Sequence, residues 1–280
     1  MKPALRAATL AWVVVAATAC APLSGRTESN SSSAAIEALA PGGKLRVGLY
    51  PGSPTSFIPA TDGTAPRGVG YDLAKELASK AGVAFEPTVF PTNEKVQEAV
   101  RAGAVDLVFT NATAARAQFI DFTPVVLEIE KGYLVAASST VRDSAALDRP
   151  GIRIGHSRGS TTQRELAQVV KNAQLTPVDS LADASRALAE GRVDAFASNK
   201  AILHQISDGL PGSRVLAGRW GGETFAFGIP KDRAAARPYL DAFVKKARDE
   251  GAVRRAAERA GVRGLVAATN AHTRSVEEMP

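Results

Sequence analysis

Between residues 44 and 260 the chain alternates short apolar runs with amphipathic helical stretches, through two successive series. No other feature constrains the fold as strongly, because strand, helix and strand in repetition build a parallel sheet with helices packed on its faces. In the first series a strand over 44–49 (KLRVGL) precedes a helix over 71–81, which stops at Gly82. A strand over 83–90, a helix over 93–102 and a buried strand over 105–109 (VDLVF) follow. After a strand over 132–137, the second series opens at 152–155. It continues with a helix over 162–171, a strand near Thr176, a helix over 181–190, a strand over 193–197 and a helix from Lys200. A strand over 225–229 and helices over 239–250 and 252–260 close the chain. The spacing predicts two α/β lobes rather than one long sheet. The 280 residues, 45% hydrophobic and 22% charged, suffice for two cores.

Charge and cysteine content narrow the function. Lys2, Arg6 and the apolar stretch 7–19 have the form of an export signal, and the stretch is too short to span a bilayer. Without Lys2 and Arg6, 32 of the 34 basic residues face 28 acidic ones, interspersed along the chain, which points to no nucleic acid or other polyanion. Cys20 is the only cysteine, which excludes a disulfide framework and a CxxC centre, and three scattered histidines leave no metal site to expect. Ala17-Thr18-Ala19-Cys20 resembles a lipoprotein signal in which the cysteine is lipidated, although leucine is usual where Ala17 stands. Ordinary secretion with a nearby cut is the alternative. Residues 21–43, rich in Ser, Thr, Asn and Pro, read as a flexible tether.

Gly155-His156-Ser157-Arg158-Gly159 matches the GxSxG nucleophile elbow between a strand and a helix. A serine hydrolase would need an acid such as Asp194 or Asp208 and then His272, which lies in a polar tail with no core to hold it. The better helix start is Ser160-Thr161-Thr162, whose free N–H groups and hydroxyls suit either a plain N-cap or a bound carboxylate. Gly68-Val69-Gly70 lacks a third glycine and is no dinucleotide fingerprint. No cofactor is expected. The stretch 105–123 (VDLVFTNATAARAQFIDFT) sets Arg116 on a short helix beside Thr110, Asn111 and Thr113 at a strand end. Such an arginine can grip a carboxylate bidentately, or pair with Asp121 at the surface.

Several longer runs resemble the bacterial family 3 extracellular solute-binding proteins, the amino-acid receptors of ABC importers. They are KLRVGLY, GVGYDLAKELASKAGV, VDLVFTNATAARAQFIDFTP, GIRIGHSRGSTTQREL, LAEGRVDAFASN and FAFGIPKD, in that order. The resemblance implies the two-lobed type II periplasmic-binding-protein fold, with a ligand cleft between lobes joined by crossover strands near 128–134 and 225–228. It divides the chain into a leader (1–20), a tether (21–43), one lobe (44–130 with 228–264), a second lobe (131–227) and a tail (265–280). It implies a monomer at the cell envelope, anchored through Cys20, that delivers a small carboxylate-bearing solute to the permease subunits of the transporter and catalyses nothing. By position, Arg116 holds the ligand carboxylate, aided by Ser160 and Thr161. Phe109 and Asn111 contact the ligand at a strand end, and Tyr50, Ser53 and Asn93 lie over it. Asn199 stands where an aspartate binds the ligand ammonium. An amide there implies either that the partner of the ammonium lies elsewhere in the cleft or, the reading preferred from sequence, that the occupant is less cationic than an ordinary amino acid. Some relatives resemble cyclohexadienyl dehydratases, and Glu223 is the one acid placed for such an enzyme.

Overall fold

The computed structural model of the chain describes residues 24–266. The expected leader, its Cys20 and the tail beyond 266 lie outside the described residues. Helix α1 (Ser24–Leu39) leads into β1 (Lys44–Leu49), α2 (Val69–Ala81), β2 (Ala84–Val89), α3 (Asn93–Arg101), β3 (Leu107–Asn111), the single turn α4 (Ala114–Ala117) and β4 (Ile120–Phe122). Strand β5 (Leu127–Val135) carries the chain to a second group. That group comprises β6 (Arg153–Ser157), α5 (Thr161–Val169), β7 (Gln174–Val178), α6 (Leu181–Ala189), β8 (Ala195–Asn199), α7 (Lys200–Asp208) and β9 (Arg214–Val215). Strand β10 (Gly221–Pro230) returns to the first group, where α8 (Arg237–Asp249) and α9 (Ala252–Arg259) finish the fold.

Two parallel triads, β2-β1-β3 and β8-β6-β7, are joined by the antiparallel pair β10-β5. The crossover strands meet only in mid-length. Gly221–Phe225 of β10 faces Leu127–Lys131 of β5, after which β10 pairs with β3 and β4, while β5 pairs with β8 and β9. The ladder is therefore continuous between lobes whose cores are separate. Leu45, Leu73, Leu77, Phe227 and Leu240 belong to one core, and Leu134, Leu188, Phe196 and Leu203 to the other. The Gly68-Val69-Gly70 run serves packing. Gly68 has φ +150°, and a Cβ there would lie 2.2 Å from the Ser56 carbonyl oxygen, while one on Gly70 would lie 2.7 Å from the Phe109 Cβ.

Three expectations change. The tether expected over 21–43 contains α1, whose last turn is integral to the first core: Leu39 and Ala40 are fully buried and Ala35 nearly so. Ala35 and Leu39 are four residues apart and share one helical face, and α1 lies against α8 and the turn before it. A polar composition hid that spacing. Strand β5 is longer than the segment expected over 132–137, because pairing with β10 extends it backward. The tail expected from 265 begins as ordered backbone, with Leu265 bridged to Ile129 and the Val266 N–H donating to the Glu128 carbonyl.

Leu39→Ala tests the packing of α1. A buried leucine truncated in a core costs about 2–5 kcal/mol, whereas one on a tether costs nothing. Urea denaturation of the variant should show a loss in that range.

Candidate functional site

The site is assembled at the ends of strands. In the first lobe, β3 ends at Thr110 and Asn111, and Thr113 caps α4 by accepting from the Arg116 N–H. That cap turns the Arg116 side chain back toward the strand end, where it is 5% exposed. Its Nη1 donates to Thr110 Oγ1 at 2.8 Å and to the Asn111 carbonyl at 3.0 Å. Its Nε and Nη2 have no partner among the described residues. Asp121 pairs with Arg237 instead, so the surface ion pair with Arg116 does not form. Burial is the main force on this guanidinium and, with Arg164 adding repulsion, lowers its pKa to about 10 against the opposing pull of Glu223 and Tyr50. At neutral pH it remains a cation. It is a costly charge with donors to spare.

The second lobe supplies two helix starts. Ser160 caps α5 by accepting from the Gln163 N–H, and Asn199 caps α7 by accepting from the Ile202 N–H at 3.1 Å through Oδ1. Between the lobes, β10 contributes Glu223, 8% exposed. Thr161 Oγ1 donates to Glu223 Oε1 at 2.8 Å, and Asn199 Nδ2 donates to Oε2 at 2.6 Å. These groups, with Tyr50, Asn93 and Asn111, line one cleft of about 690 Å³ counting its open mouth, within the range of small-molecule sites. Burial pushes the Tyr50 hydroxyl above its usual range. At the rims the lobes touch. A Cβ on Gly52 would lie 3.4 Å from Leu181, and one on Gly159 3.3 Å from Glu94. Beneath the cleft, Lys131 of β5 is sealed from solvent and donates to both Glu165 carboxylate oxygens at 2.6 and 2.7 Å.

A cleft between two α/β lobes on paired crossover strands is where the comparisons with known proteins bear. A family model described as bacterial extracellular solute-binding proteins, family 3, matches residues 45–261. The chain belongs to this family. It is 22% identical over 188 residues to the ABC transporter glutamine-binding protein of Bacillus subtilis (strain 168), covering 66% of this chain and 68% of that one. Among solved structures it is similar to an amino acid ABC transporter substrate-binding protein of Streptococcus pneumoniae bound to L-arginine. There the TM-score is 0.72, the identity 22%, and the match covers 82% of this chain and 99% of that one. It is also similar to AncCDT-1, an ancestral amino acid-binding protein described as a precursor of cyclohexadienyl dehydratase. That match has TM-score 0.67 and 21% identity, covering 78% of this chain and 95% of that one. The two-lobed fold of the family 3 proteins is thus present here.

Of the nine ligand contacts expected from sequence, seven line the cleft: Tyr50, Asn93, Asn111, Arg116, Ser160, Thr161 and Asn199. Two do not. Ser53 is fully buried, its Oγ within 2.9 Å of Thr55 Oγ1 inside the loop after β1. Phe109 points to the opposite face of β3 from Thr110, as strand alternation requires, and lies against the rings of Phe225 and Phe227. The GxSxG reading also fails in its geometry. Helix α5 begins four residues after Ser157, and no histidine or acid among the described residues hydrogen-bonds the Ser157 hydroxyl. Glu223, named from sequence only as an enzyme's acid, accepts a hydrogen bond on each oxygen, from Thr161 and from Asn199. A lone charged residue in an otherwise apolar strand was the available signal.

The Asn199–Glu223 contact yields a prediction. Asn199→Asp keeps the cap but sets two carboxylates in hydrogen-bonding range, which should cost about 1–3 kcal/mol at pH 7. The crowded pair holds a proton that the unfolded chain releases, so stability should recover as pH falls toward the carboxylate range. Thermal melts of the variant and wild type between pH 4 and 8 measure this.

Proposed function

We propose that this chain is the substrate-binding component of an ABC importer, capturing a small carboxylate-bearing solute of amino-acid type and delivering it to membrane permease subunits. The observation that carries this reading is Arg116: a buried guanidinium with unused donors, facing a cleft between two lobes. A desolvated cation of that kind is completed by a carboxylate, which accepts two parallel N–H bonds in a geometry that water matches poorly. The backbone N–H end of α5 at Ser160 and Thr161 adds to the same carboxylate, the two hydroxyls being spent on the Ser157 carbonyl and on Glu223, while Tyr50, Asn93 and Asn111 border the rest of the ligand. The lobes divide at β5 and β10 and close over it, with α1 part of the first. Export, an anchor at Cys20 and a monomeric state accompany this role. No helix among the described residues is long and apolar enough to cross a membrane; in this reading the membrane-spanning subunits are a separate partner.

Beyond the charged groups, Pro51, Pro91, Thr92, Ser180 and Leu181 line the cleft, and at its rim Arg158 and Asp179 pair with each other at 2.9 Å. With no charge left over, this end suits an uncharged side chain. An enzyme on the same scaffold is the second reading, favoured only by the presence of an acid in the cleft. Both Glu223 oxygens act as acceptors, which fits a receptor better than a proton donor. Turnover of arogenate by the purified protein would establish the enzyme.

Thermal shift and calorimetry against the twenty amino acids and small organic acids test the receptor. Ligand at about a hundredfold over its Kd adds about 2.7 kcal/mol of stability, and neutral side chains should outrank lysine and arginine. Arg116→Met should abolish that response while the protein still folds. The lowered pKa of Arg116 corresponds to about 3 kcal/mol of burial cost. Relief of that cost offsets much of the loss of two charge-assisted hydrogen bonds, at about 1.5–3 kcal/mol each. The unliganded melting point should therefore hold or fall modestly while affinity falls at least tenfold. Wild-type affinity in this variant would overturn the carboxylate assignment.

A further inference from the structure

Two buried charges of opposite sign line the cleft, and they are not an ion pair. Arg116 spends its hydrogen bonds on Thr110 and Asn111, and Glu223 accepts from neutral donors, Thr161 and Asn199. Neither side chain forms a salt bridge among the described residues. A carboxylate withdrawn from water and held only by neutral donors is stabilised far less than one facing a cation. A second observation lies nearby. Asn111, which lines the same cleft, donates from Nδ2 to the Thr224 carbonyl at 2.9 Å, and its Oδ1 is buried with no partner. The cleft therefore holds a free donor fork at Arg116, and a carboxylate in no salt bridge and an idle acceptor elsewhere on its lining.

We infer that Glu223 is the counter-charge for a cationic group of the occupant, so that the cleft selects a zwitterion, with its carboxylate on Arg116 and its ammonium on Glu223. This rests on the reading of the cleft as an amino-acid-type solute site, and it makes Glu223 the residue that separates amino acids from organic acids of the same shape. The position of the charge is particular to this chain. It comes from the crossover strand β10 and not from the start of α7, where Asn199 holds the Glu223 carboxylate in place at 2.6 Å. Asn199 is thus a positioning residue. Two other roles for Glu223 make different predictions. A staple tying the starts of α5 and α7 together would affect all ligands equally, and a proton donor would reveal itself by turnover.

Calorimetry with wild type, Glu223→Gln and the double variant Glu223→Gln with Asn199→Asp tests the assignment. The probes are the twenty standard L-amino acids and, for the tightest, the same acid without its α-amino group; for L-glutamine that is 4-carbamoylbutanoic acid. Wild type should prefer the amino acid by tenfold or more. Glu223→Gln should weaken the amino acid ten- to a hundredfold, the range of a charged hydrogen bond, and leave the deaminated probe within threefold. The double variant returns one carboxylate to the same place and should recover most of the loss. Equal loss of both probes, or an unchanged amino-acid affinity, overturns the proposal and leaves the receptor standing. Should Glu223→Gln fail to fold, wild type alone decides, because equal or tighter binding of the deaminated probe also overturns it. If wild type binds neither class of probe, the receptor reading falls with it.

Discussion

The short antiparallel ladder between β5 and β10 is the element on which the rest of the molecule depends. Five residues of each strand pair there, and beyond that stretch each strand commits to a different lobe's sheet. Backbone hydrogen bonding is thereby satisfied across the boundary, as the proposed closure about a paired ribbon requires. In such a closure the ladder would decide what moves with what: Arg116 with the first lobe, and Thr161 and Asn199 with the second. Glu223 sits within the ladder opposite Ile129, close to the axis of any such rotation. The segment ending at Val266 adds a third run of backbone alongside β5.

Around that axis, stability has been exchanged for recognition. Arg116 is desolvated with donors unspent, Glu223 is buried without a salt bridge, and Asn111 Oδ1 has no partner. On the proposed reading each is a cost of the empty protein that an occupant of matching chemistry relieves. Lys131 shows the contrast. It is almost wholly buried, yet its ammonium meets both Glu165 oxygens, and it asks nothing of a ligand. The distinction between a structural charge and a receptive one lies in whether its hydrogen-bonding capacity is filled.

The alternation of strands and helices made the two lobes legible, because each parallel triad is built from segments close in sequence. Arg116 was legible for the same local reason: strand end, capping Thr113 and short helix are contiguous. What escaped was non-local. Asn199 and Glu223 are 24 residues apart, and Thr161 and Glu223 are 62 apart. Nothing in either segment announces the partner. The Phe109 ring lies one turn of the pleat inside the sheet from Asn111, among Phe225 and Phe227, and a strand read from sequence does not show where along it the cleft begins. The helix before β1 was missed because Ser, Thr and Asn dominate its composition, although Ala35 and Leu39 already carried the helical spacing.

That helix changes how far the molecule can roam. On the proposed lipid anchor at Cys20, a tether through residue 43 would act as a leash of about 80 Å at full stretch. With α1 running from Ser24 and its last turn packed into the first core, a 16-residue helix takes up most of that leash. The receptor would then stand over the bilayer like a lamp on a short stem. Its first lobe would be held near the lipid surface, leaving the second as the part with room to swing.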